Sequence, residues 1–173
     1  DSTEMFLTGT LIRVETSGQL TCVNAGHPSP LIIPKSGMPF FLTNSGLPLG
    51  MFDTEFSVQE SETYQLKPGD RVMIVTDGIL ETNRGQDGTD DFYGAQRLSE
   101  IVLKNKEANL NELLDTVRRS LFEFAEDTPA SLNDDVLVSF IEFTGEKAAV
   151  EADDEHTVAI ERLGLEYFIN SAR

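Results

Sequence analysis

Cysteine is almost missing from this chain: Cys22 stands alone among 173 residues. One thiol closes no internal disulfide, and a reducing, cytoplasmic setting is the expectation. Positive charge is also scarce. Thirteen Lys and Arg face 30 Asp and Glu, a net of −17. That shortage excludes nucleic acid, whose phosphates need clustered basic side chains, and it excludes contact with an anionic membrane surface. No apolar run approaches the ~20 residues of a membrane span, and no signal peptide is visible. Histidine occurs only at His27 and His156, so no Cys, Ser–His or His nucleophile set suggests itself.

What remains is a hydrophobic share of 39%, enough for one compact domain, and a surplus of carboxylates. Most of that surplus is read as solvated surface, although it also suits hard cations. The start at Asp1, with strand-like residues from Met5 onward, reads as a cut inside a larger protein.

Along the chain, Met5 to Val14 reads as a strand with Phe6, Thr8, Thr10, Ile12 and Val14 on one face. Glu15-Thr16-Ser17-Gly18 supplies a turn, and Gln19 to Ala25 returns as the second arm of a hairpin. Leu31-Ile32-Ile33 is a short third strand and Phe56 to Tyr64 a weaker one. Lys67-Pro68-Gly69-Asp70 is a strong turn signal that launches the strand Arg71 to Thr76. The period then becomes helical. Ala95, Leu98, Ile101 and Val102 mark one helix. Leu110, Leu113, Leu114, Val117, Leu121 and Phe124 mark a second, with Asn109 and Glu112 spaced as a capping box. Val136 to Phe143 is again β, with Val136, Val138 and Phe140 on one face. Gly145 to Glu155 reads as an acidic linker, and His156 to Arg173 as one further strand or short helix. The fold class is α+β, a sheet of antiparallel strands packed by segregated helices.

Two acidic positions stand out. Asp77 follows one strand directly, while Asp134 and Asp135 directly precede another. If those strands are antiparallel neighbours, the acids converge at one edge of the sheet. Carboxylates held together repel one another, and a proton or a cation relieves the repulsion. Ligation by oxygen alone suits Mg²⁺ or Mn²⁺ rather than Zn²⁺. Plainer readings stand beside this one. Asp77-Gly78 is a common turn dipeptide, Asn133-Asp134-Asp135 can be a strand lead-in, and His27 suits a turn. The run Asp87-Gly88-Thr89-Asp90-Asp91 faintly suggests a calcium loop but reads as a surface loop, lacking the closing Glu.

Five blocks in order carry a resemblance: Asn24-Ala25-Gly26-His27-Pro28, Gly46-Leu47-Pro48-Leu49-Gly50, Leu66-Lys67-Pro68-Gly69-Asp70, Thr76-Asp77-Gly78 and Asn133-Asp134-Asp135. Together they resemble the bacterial SpoIIE-like and RsbU-like branch of the metal-dependent type 2C serine/threonine phosphatases, over roughly Met5 to Phe143. The resemblance implies a β-sandwich of antiparallel sheets flanked by paired helices, here truncated at its N-terminal side. It implies a two-metal centre, Mn²⁺ or Mg²⁺, that activates water against phosphoserine or phosphothreonine. By position, Asp77 and Asp134 look like the family's metal-binding aspartates, with Asp135 the alternative if the register is off by one.

Residues 1–144 are then a partial phosphatase domain and 145–173 an acidic linker with an unassigned C-terminal segment. The family's first aspartate block has no counterpart, so the fragment alone is expected to be inactive and prone to self-association as a homodimer. Leu137 stands where a Thr is usual. The implied partners are a phosphorylated regulatory protein, such as an anti-sigma-factor antagonist, and an upstream sensor or receiver domain. The competing reading is a non-catalytic regulatory or dimerisation module on the same fold.

Overall fold

The computed structural model describes residues 6–51, 60–84, 90–125, 134–145 and 168–170. The elements run β1 (Gly9–Val14), β2 (Gln19–Ala25), β3 (Leu31–Ile33), β4 (Phe40–Phe41), β5 (Glu62–Gln65), β6 (Arg71–Val75), α1 (Asp77–Leu80), α2 (Gly94–Lys104), α3 (Leu110–Phe124), β7 (Val136–Glu142) and β8 (Phe168–Asn170). Two antiparallel sheets form, one in the order β1-β2-β5 and the other in the order β4-β3-β6-β7-β8.

The layering follows from the alternation of side chains along each strand. On the five-stranded sheet, Leu31, Ile33, Met73, Val75, Val136, Val138 and Phe140 share a core with Leu98 and Val102 of α2 and with Leu113, Val117 and Leu121 of α3. The intervening residues Ile32 and Val72 face the other way and pack with Leu20 and Cys22 of the smaller sheet, joined by Ile12 and Val14. Leu31-Ile32-Ile33 is buried throughout because its strand is covered on both sides. The order of layers is therefore three-stranded sheet, five-stranded sheet, helix pair.

Several expectations hold in detail. β2 and β3 have the bounds read from sequence. The Asn109 side chain accepts from Glu112 N while Glu112 receives the Asn109 N–H, a complete capping box on α3. Of the first strand as read from sequence, Met5 lies outside the described residues and β1 starts at Gly9. Leu7 contributes only an isolated bridge to Leu49, and Phe6 is 56% exposed, so Ile12 and Val14 define the inward face without it. The weak strand expected from Phe56 is described only at β5, because residues 52–59 fall outside the described set. The acidic linker lies outside it as well, and of the C-terminal segment only β8 is described, antiparallel to β7. Sequence gave no sign of β4, whose two residues pair with Leu31 and Ile32.

The Lys67–Asp70 turn is more than a reversal. Asp70 is 3% exposed, its Oδ2 accepts from Lys67 N and its Oδ1 from Lys35 N, each at 2.9 Å. The carboxylate staples the turn before β6 to the chain leaving β3. Asp70→Ala strands two backbone donors and is expected to cost about 3 kcal/mol, read as a lower denaturant midpoint at unchanged m.

Candidate functional site

β6 and β7 are antiparallel neighbours, with Val75 opposite Val138 and Met73 opposite Phe140. The end of β6 therefore lies beside the start of β7, which brings Asp77 to the same sheet edge as Asp134 and Asp135. β3 runs against β6 with Leu31 opposite Met73, so the His27–Pro30 approach to β3 sits at this end too. The Lys67–Asp70 turn lies at the other end of β6.

The junction is fastened by Thr76. Its hydroxyl donates to the Asp135 carbonyl oxygen at 2.9 Å and accepts from Leu137 N at 2.9 Å. Its own N–H donates to Leu137 O at 3.1 Å. One side chain thus continues the ladder where the two backbones part, and fixes the residue before Asp77 against the residue after Asp134. Thr76→Val keeps the shape but leaves that carbonyl and N–H unpaired. We expect a loss of about 2 kcal/mol by denaturant titration, with Thr76→Ser recovering most of it.

Close approach is the second condition. Gly78 is buried, and a Cβ placed on it would stand 2.5 Å from the Asp135 carbonyl oxygen and 3.3 Å from the Asp134 carbonyl carbon. Only a residue without a side chain lets the start of α1 lie against the Asp134-Asp135 backbone. One turn later, Thr82 Oγ1 donates to Gly78 O at 2.6 Å and anchors a helical turn where the sequence offered only a turn dipeptide or a ligand at Asp77-Gly78. The turn is only four residues long, too short for the helical period to show.

Asp77, Asp134 and Asp135 are all exposed. Asp77 Oδ1 accepts from Gly78 N at 3.0 Å and Asp134 Oδ1 from Asp135 N at 2.7 Å. Each of these two keeps its second oxygen without a partner among the described residues, and the Asp135 carboxylate has none there. The three carboxylates are a set of exposed hard oxygens on two backbones packed against each other, which fits a small divalent cation. Among the described residues no three His, Cys, Asp or Glu side chains group closely enough to hold a metal alone. Cys22 offers no substitute ligand: burial, aided by the charge of Glu62, pushes its thiol up to about 11.

The other singled-out residues sort differently. Asn24 is fully buried, its Oδ1 accepting from His27 N at 3.0 Å and its Nδ2 donating to His27 O at 2.8 Å. Gly26, at φ +68°, donates to Gly46 O and lies against Pro48, so the first two sequence blocks are one packed corner. His27 accordingly belongs to a clamped turn. Of the acidic run, residues 87–89 lie outside the described set, while Asp91 is held by Arg84 and Arg97 and Asp90 by Asn83. The ion pairs around Asp91 were not legible from spacing.

The family model for stage II sporulation protein E (SpoIIE) matches residues 1–144. Protein IcfG of Synechocystis sp. (strain ATCC 27184 / PCC 6803 / Kazusa) is 29% identical over 107 residues, which is 61% of this chain and 16% of that protein. Among solved structures, the RsbU and RsbW domains of a Mycobacterium tuberculosis protein align at TM-score 0.61 and 21% identity, over 79% of this chain and 36% of that one. The SiaA-PP2C domain of Pseudomonas aeruginosa aligns at 0.59 and 20%, over 73% and 47%. The manganese-presoaked phosphatase domain of SpoIIE from Bacillus subtilis aligns at 0.51 and 18%, over 81% and 58%. At these identities the structural likeness establishes the fold, that of type 2C phosphatase domains. The chain spans about a sixth of its curated relative and between roughly a third and three fifths of these structures.

Proposed function

The chain belongs to the stage II sporulation protein E family, and on that premise we propose that it is part of a metal-dependent protein serine/threonine phosphatase. The observation that carries this reading is the β6–β7 pairing, which brings Asp77 beside Asp134 and Asp135 on a type 2C phosphatase fold. Asp77 and Asp134 would hold the cations, with Asp135 the neighbouring donor. Bound there, Mn²⁺ or Mg²⁺ would supply activation of water and neutralisation of phosphoryl charge for hydrolysis of a phosphomonoester. The chain's own work is positional. Thr76 and Gly78 set the spacing of the two acidic segments, and the exposure of the carboxylates leaves the site open to a protein-borne phosphoryl group.

The substrate in this reading is a phosphoserine or phosphothreonine on a regulatory protein such as an anti-sigma-factor antagonist, met in the cytoplasm. An upstream sensor or receiver domain governs the activity. Among the described residues no helix is long and apolar enough to cross a membrane. In this reading the family's first aspartate block supplies the remaining metal ligand, and the isolated 173-residue chain, where that block has no counterpart, is inactive and associates with itself.

The test is release of phosphate from a phosphoserine protein by the full-length protein, with and without Mn²⁺. Metal-dependent release supports the reading. No release at saturating metal overturns it in favour of a non-catalytic regulatory module.

A further inference from the structure

Where the chain climbs away from α1, two arginines share one carboxylate and one ring. Arg84 Nε donates to Asp91 Oδ2 at 2.6 Å, and Arg97 Nη2 donates to Asp91 Oδ1 at 2.9 Å. Both guanidinium carbons lie over the Phe124 ring, at 4.4 and 4.8 Å from its centroid. Phe124 is itself buried and is met edge-on by Tyr93 at 5.5 Å. Arg97 Nη1 is further occupied by the carbonyl oxygens of Phe92 and Tyr93. The arrangement leaves Arg84 distinctive. Its side chain is 45% exposed, its plane is fixed by the ring and by Nε, and its two terminal amino groups have no partner among the described residues.

This cluster belongs to the same end of the molecule as the acidic site. Thr82 bonds back to Gly78 O, Tyr93 N donates to Thr82 O, and Arg84 N donates to Asp91 O at 3.2 Å. The stretch from Asp77 to Arg84 spans at most ~25 Å even if fully extended, and it begins with a helical turn.

Two guanidiniums share the Asp91 carboxylate while Asp90 is held by Asn83, so Arg84 keeps an exposed positive edge on a chain whose net charge is −17. A phosphorylated protein approaching so acidic a body is repelled by most of the surface, so an exposed cation beside the site sets which segments approach. A guanidinium stacked on an aromatic ring has already lost much of its rotational freedom. It presents a planar fork matched to a carboxylate or phosphoryl group. Asp91 shows that the pair accepts a carboxylate.

We propose that Arg84, braced by Phe124 and seconded by Arg97, is a specificity residue that receives an acidic side chain flanking the phosphoresidue of the protein substrate. The proposal rests on the phosphatase reading for the identity of its ligand. Arg84 stabilises the docked segment and takes no part in bond breaking.

A binding cycle in the full-length protein, run in EDTA so that no turnover intervenes, tests it. The probes are two fluorescein-labelled phosphoserine peptides, one with Asp and Glu beside the phosphoserine and one with Ser and Gln there. Wild-type protein is expected to bind the acidic peptide about fivefold more tightly, and Arg84→Gln to erase that preference while leaving the neutral peptide unchanged. A wild-type protein with no preference, or a preference that survives Arg84→Gln, overturns the proposal. The phosphatase reading fails separately: it is lost if wild type with Mn²⁺ releases no phosphate from either peptide, whatever the binding cycle shows.

Discussion

Gly78→Ala is expected to reduce metal-dependent turnover of the full-length protein by about a hundredfold or more and to destabilise the fold as well. The added methyl would meet the Asp135 carbonyl oxygen at 2.5 Å and the Asp135 carbonyl carbon at 3.1 Å. These are backbone atoms, and Thr76 bonds to the same carbonyl at 2.9 Å. No side chain can swing aside, so the start of α1 and the start of β7 must separate. Overpacking of this kind costs about 1–3 kcal/mol. A displacement near 1 Å in positioned groups is enough for a hundredfold loss of rate. Gly9→Ala is the control: its Cβ meets nothing within 4 Å, and it should change neither the unfolding midpoint nor turnover. Equal turnover in Gly78→Ala and wild type would show that the contact between α1 and Asp134-Asp135 does not matter to the chemistry.

Asp77→Ala and Asp134→Ala should each lower metal-dependent turnover by about a thousandfold or more, because a lost ligand removes several kcal/mol of charge stabilisation. Stability should move the other way or not at all. Both carboxylates are exposed and their single hydrogen bonds are local, so truncation is expected to stay within about 0.5 kcal/mol of wild type. This split separates a functional acid from a structural one, and it contrasts with Asp70, whose buried carboxylate should do the reverse. The double variant should be no worse than either single one, as for groups that act as a unit. Asp135→Ala decides the register: a smaller loss than Asp134→Ala keeps Asp134 as the principal ligand, and a larger one shifts the role to Asp135.

Much of this fold was legible because its strands and helices carry strong local signals. The β2 hairpin arm is bounded by a Gly turn and a Gly-His-Pro break, and α3 by its capping box. The antiparallel neighbouring of β6 and β7 was stated only as a condition. Sequence shows where strands are, whereas pairing depends on packing across the whole core. α1 was missed because four residues are too few to display a period. The roles of the five blocks also required coordinates. Spacing could not show that Asn24 clamps its own turn, that Asp70 staples a loop at the far end of β6, or that Thr76 splices two strands. The Arg84–Asp91–Arg97 cluster stayed hidden because its ring, Phe124, comes from the far end of α3. Asp91 was grouped instead with its acidic neighbours in the chain.

Whether Asp77 and Asp134 share an ion decides the function of this sheet edge. Crystals of the full-length protein soaked in Mn²⁺ and measured for anomalous scattering answer this directly. An anomalous peak about 2–2.5 Å from carboxylate oxygens of both residues is the expected result. A manganese peak elsewhere, or one touching neither carboxylate, would contradict it.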